Sequence, residues 1–135
     1  MRQTAVVFLV RSPWIWFVSV DQGTNGNSLT VYSDRLKEEE GDQSIEDTAI
    51  RVLREKYKVH TSMAHIEKVA IFSTYEEEVL VSELHIFLCD EECIQSKGSI
   101  HNGTLKCFNI LRPPEVSALP WLPTVCRWGS DREIK

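Results

Sequence analysis

Acidic runs are the part of this sequence with the most chemistry in reach. Glu38-Glu39-Glu40, Glu76-Glu77-Glu78 and Asp90-Glu91-Glu92 each place three carboxylates side by side, and Glu55 stands alone between Arg54 and Lys56. Magnesium and manganese take several oxygen ligands and activate water or polarise phosphoryl groups, so carboxylates are the material of a hydrolytic metal site. The plainer reading of each run is a solvated turn. His60, His65, His85 and His101 show no HxH or HxxxH spacing, and His85, in an apolar run, reads as a satisfied core histidine. No Ser-His-Asp or Cys-His arrangement can be argued from spacing, because such groups meet only in the fold. Cys89, Cys93, Cys107 and Cys126 contain no CxxC pair, which sets a zinc site aside. Cys89 and Cys107 fall in apolar runs and read as buried free thiols. A reducing compartment suits them, giving an intracellular location, cytoplasmic or nuclear.

One helix and a sheet must position these groups. Between Gly41 and Val59, Ser44 is a good N-cap and Asp47 nearly completes a capping box. Ile45, Ala49, Val52, Leu53 and Tyr57 recur at helical spacing and form one buried face. The opposite face is read as charged and outward, with Arg51, Arg54, Glu55 and Lys58. Ahead of the helix, residues 4–10 form a continuous apolar, β-branched run, a buried strand. Residues 14–20 form a second strand in a hairpin with the first, and Trp14 and Trp16 share one of its faces. A short strand is expected at 29–32. After the helix, strands are expected at 68–74, 79–89 and 104–111. The Asn102-Gly103 pair reads as a turn rather than a glycosylation site. Pro120-Trp121-Leu122-Pro123 is not expected in regular helix, and a closing helix is expected from Val125.

The length of 135 residues gives a single domain, 1–135. The net charge of −5 argues against long nucleic acid, whose phosphates need a basic surface. The apolar run at 5–10 is too short for a membrane span or a signal-peptide core.

This order of elements, together with residues 37–59, KEEEGDQSIEDTAIRVLREKYKV, resembles the Nudix family, and within it the MutT-like hydrolases of oxidised purine nucleoside triphosphates. The family's box, G-x5-E-x7-R-E-U-x-E-E-x-G-U, fits without a gap. Arg51, Leu53, Glu55 and Val59 match its Arg, its first aliphatic residue, the first acid of its Glu-Glu pair and its last aliphatic residue. Pro120-Trp121-Leu122-Pro123 resembles the segment that brings a Trp to the base pocket. The resemblance implies an α+β fold, a Nudix-like α/β/α sandwich with a mixed β-sheet. It also implies diphosphate cleavage by water with Mg2+ or Mn2+, held by three acids on one helix face.

Two of those three acid positions are Val52 and Lys56, so only Glu55 carries over as a metal ligand. The box's opening Gly is Lys37, its first Glu is Gln43 and its late Gly is Lys58. Ser33 stands where the family has Asn, Asp34-Arg35-Leu36 where it has Gly-Phe-Gly, and Pro123-Thr124 where an Asp-Asp pair reads the base. The expectation is therefore a degenerate Nudix domain without hydrolase activity and without a cofactor. It would act by binding a small nucleotide, an RNA end or a protein partner, with Trp121, Ser33 and Arg51 as candidate ligand contacts. The alternative is a pyrophosphohydrolase with a rebuilt metal site, using Glu55 as the candidate catalytic group and metal ligand. Acids from Glu38-Glu39-Glu40, with Glu39 and Glu40 as the candidates, and an acid from Asp90-Glu91-Glu92 would complete that site.

Overall fold

The strand at the N-terminus is apolar on both faces because both faces are covered. In the computed structural model, which describes residues 1–11, 13–21, 27–90, 105–116 and 119–133, this strand is β1, Arg2–Arg11. Ala5, Val7 and Leu9 enter one hydrophobic cluster. The alternate Val6, Phe8 and Val10 enter a second cluster on the other side. Side chains alternate across a strand, so a strand sandwiched between layers must be apolar at every position.

The remaining elements are β2 (Trp14–Asp21), β3 (Asn27–Thr30), β4 (Ser33–Arg35), α1 (Ile45–Val52), β5 (Ile66–Glu76), β6 (Val79–Asp90), β7 (Leu105–Asn109) and α2 (Leu122–Glu133). The seven strands among the described residues form one sheet, ordered β3-β2-β1-β6-β5, with β4 on β1 and β7 on β2. β1 and β6 are parallel, from Arg2↔Ser82 to Val10↔Asp90, and the other pairings are antiparallel. Helix α1 covers one face through Ile45, Ala49 and Val52. Helix α2 covers the other through Leu122, Val125 and Cys126. The expected α/β/α sandwich with a mixed sheet is the observed architecture.

Several boundaries differ from the sequence reading. The short strand expected at 29–32 ends at Thr30, and a separate strand, β4, begins at Ser33. The helix is capped as expected, with Ser44 Oγ accepting from Asp47 N at 3.3 Å, but its α-helical part ends at Val52. A π turn, Leu53–Tyr57, completes it, and Lys58 closes it in the left-handed region at φ 61°. That is the conformation for which glycine is the usual residue. The exclusion of regular helix before Val125 fails as well. Helix α2 starts at Leu122 and takes Pro123 into its first turn, where the missing N–H has no helical acceptor to lose. Cys89 is buried as expected, whereas Cys107 is exposed. Trp14 is exposed, and Trp16 packs against the α1-side cluster. Cys93, Glu91, Glu92 and the Asn102-Gly103 turn lie outside the described residues. Among the described residues, no helix is long and apolar enough to cross a membrane.

Candidate functional site

The site is built where α1 and its π turn lean on β4. Arg51, expected on an outward charged face, is buried, with 3% of its side chain exposed. A helix position flanked by core residues carries a charge inward only if opposite charge waits there. Asp42 supplies it, also 3% exposed, and meets Nε at 3.1 and 3.2 Å and Nη2 at 2.9 Å. Asp34 of β4 accepts from Nη1 at 2.8 Å, and the Arg35 carbonyl accepts from Nη2 at 2.9 Å. All three guanidinium nitrogens therefore donate within the chain. Asp42 is further held by Thr48 Oγ1 at 3.0 Å and by the Lys37 N–H at 3.1 Å.

The charges set one another's protonation. Burial alone would raise the Asp34 carboxyl. The Arg51 hydrogen bond, the Arg35 N–H, Lys37 and the nearby Lys56 charge outweigh it and bring the pKa to about 2. Asp42 is likewise pushed up by burial and pulled below the usual carboxylate range by Arg51, the Lys37 N–H and Thr48. The hydrogen bonds to Asp42 raise Arg51 further still, against the opposing effect of burial. The cluster is thus fully ionised at neutral pH.

The three positions where the box carries acids are 52, 55 and 56, which share a helix face at about 100° per residue. Val52 is 1% exposed and sits in the α1-side core with Ala5, Val7 and Leu9. The Glu55 side chain is 46% exposed and lies 3.7 Å from both Arg51 Nη1 and Arg54 Nη2. Lys56 donates from Nζ to the Ser33 carbonyl at 2.6 Å. The set offers one half-exposed carboxylate, a buried isopropyl group and an ammonium, and does not fit a divalent cation, which wants several anionic oxygens and no competing cation. Glu39 and Glu40 lie exposed on a 3-10 turn, Glu38–Glu40. Among the described residues, no three His, Cys, Asp or Glu side chains converge as a metal site.

Trp121 is on the other face of the sheet. Its ring stacks on Phe72 (centroids 5.6 Å apart, planes at 26°) and meets Phe8 edge-on at 6.1 Å. Of the candidate residues, the fold therefore gathers Ser33, Arg51 and Glu55, while Trp121 stands apart, across the sheet.

Sequence reasoning missed Asp34 and Asp42 as the partners of Arg51, because no spacing rule links positions 17 and 9 residues upstream of it. It also missed a polar group in which Glu83 Oε1 accepts from Gln3 Nε2 and meets His85 Nε2, both at 3.1 Å. His85 is buried, and among the described residues its Nδ1 meets no hydrogen-bond partner, so only one of its ring nitrogens is engaged there.

No family model and no curated protein matches the chain in sequence. Solved structures do match it. The NUDIX domain of Shewanella oneidensis NrtR complexed with ADP ribose aligns at TM-score 0.58 and 16% identity, over 98% of this chain and 86% of that one. The chain has the Nudix fold. An ADP compounds hydrolase aligns at TM-score 0.60 and 14% identity, over 97% and 74% of the two chains. NrtR complexed with a 27mer DNA aligns at TM-score 0.61 and 15% identity, over 98% of this chain. The chain spans 61% of the length of that NrtR. In Nudix terms, the helix carrying the box and the strand before it are in place, with Arg51 buried beneath them.

Proposed function

We propose that this Nudix-fold domain binds a small nucleotide without hydrolysing it. The observation that carries the reading is the Lys56 ammonium on the Ser33 carbonyl, at a position where a metal-dependent hydrolase needs a carboxylate. Val52 supports it: replacing an acid there with a core side chain turns a catalytic position into packing. Trp121, half-buried and backed by Phe72 and Phe8, offers an aromatic surface on which a base can stack. The NUDIX domain of NrtR complexed with ADP ribose makes a nucleotide of that kind the first ligand to try.

Calorimetric titration with ADP-ribose, in EDTA and then in Mn2+, tests this, with product analysis after long incubation. Saturable binding of equal strength in both buffers, weakened about tenfold or more by Trp121→Ala, is expected. Turnover in Mn2+ that disappears in Glu55→Gln would instead establish the rebuilt hydrolase.

A further inference from the structure

A cavity lies beside the start of β1, on the approach to the box. About 760 Å³ in volume, it opens between the end of the β5–β6 hairpin and the segment at residues 35–39. Pockets of about 300–1,000 Å³ hold small ligands. Three cations line it, Arg2, Arg35 and Lys37. The strand pairing explains their convergence. Thr4 faces Arg35 across the β1–β4 ladder, and the next bond outward is Leu36 N–H to the Gln3 carbonyl at 2.9 Å. Arg2 and Arg35 are thus diagonal neighbours, within reach of one another's long side chains. Lys37 is drawn toward Asp34 at 3.3 Å. Among the described residues, no ion pair engages either the Arg2 or the Arg35 guanidinium. Two like charges left together in a chain of net charge −5 call for an anion to sit between them.

The rest of the lining narrows the class. Glu39, from the 3-10 turn, and Glu76, from the hairpin, bring one carboxylate to each wall. They repel a polyanion but accept hydrogen bonds from hydroxyl groups. Guanidinium groups match the oxygens of a phosphate in paired hydrogen bonds. We infer that this cavity binds a sugar monophosphate, with its phosphate on Arg2 and Arg35 and its hydroxyls on Glu39 and Glu76. This site shares Lys37 and Glu39 with the start of the box but uses none of its three acid positions, 52, 55 and 56, and stands whether or not a nucleotide binds at Trp121.

Ribose 5-phosphate, inorganic phosphate and ribose are titrated calorimetrically into the full chain. Ribose 5-phosphate should saturate at or below about 1 mM, phosphate should bind about tenfold more weakly, and ribose should give no heat. Arg2→Ala and Arg35→Ala should each weaken ribose 5-phosphate about tenfold or more, with unchanged thermal unfolding. Arg54→Ala, which removes the same charge from the exposed side of the π turn, should change it less than about twofold. Absence of ribose 5-phosphate binding overturns the site. Equal binding of phosphate overturns the sugar assignment, and equal loss in Arg54→Ala overturns the assignment to this cavity.

Discussion

The chain handles its positive charge in two opposite ways. Around Arg51 every guanidinium nitrogen is matched by an internal oxygen and the cation is nearly inaccessible. Around Arg35, at the end of the short strand on which the Arg51 cluster leans, the cation is exposed and faces an open cavity. Arg35 even joins the two regions, since its carbonyl serves Arg51 while its side chain lines the cavity. A closed cluster of charges can shape a protein but has no valence left for a ligand. An open one adds little to stability and keeps its valence for something that arrives. A motif arginine is therefore informative about ligands only once its partners are known.

The sharpest way to break the contrast is to remove one member of the closed cluster. Asp42→Ala leaves Arg51 charged and buried with its main partner gone, and such a loss costs about 3–5 kcal/mol. Chemical denaturation should show it as a large drop in midpoint, and a change under about 1 kcal/mol would mean that Arg51 is better solvated than its burial indicates.

A middle-sized effect is expected with acid. The Asp34 pKa is about 2 in the folded chain against an ordinary 3.8, so its stabilising contribution is complete above about pH 4 and is lost as the pH falls through 2. Denaturation midpoints measured from pH 5 downward should fall less steeply in Asp34→Asn than in the parent. Parallel curves would count against the ion pair.

The smallest effect belongs to the open region. Arg35→Ala keeps the backbone N–H and carbonyl that serve Asp34 and Arg51, and should change stability by less than about 0.5 kcal/mol. A cost comparable to that of Asp42→Ala would erase the distinction between the two regions.

Much of the scaffold was legible because it follows from local rules. The unbroken apolar run of β1 announced a strand covered on both faces, and Ser44 announced the start of α1. The end of α1 was not legible, because apolar spacing at Leu53 and Tyr57 suits an α-helix and a π turn alike. Pro123 misled for a positional reason: proline breaks a helix in its middle but opens one comfortably. For the candidate site, the sequence identified the residues standing at the acid positions but not where they went. The burial of Arg51 depends on two aspartates that only the turn at residues 38–40 and the β1–β4 pairing bring to it. The cavity was invisible for the same reason, since its walls come from three separated stretches of chain.

The parallel pairing of β1 with β6 has a consequence for how the molecule comes together. Its register runs from Arg2↔Ser82 to Val10↔Asp90, so the two central strands meet only after a long loop has closed. Contacts between distant parts of a chain slow folding, because the entropy of closure is lost before any burial repays it. During synthesis β1 can pair first with β2 and β4, and the edge that takes β6 stays open until that strand emerges about 80 residues later. For that interval the open edge of β1 needs shielding, and a factor that protects the nascent chain is expected to engage residues 5–10.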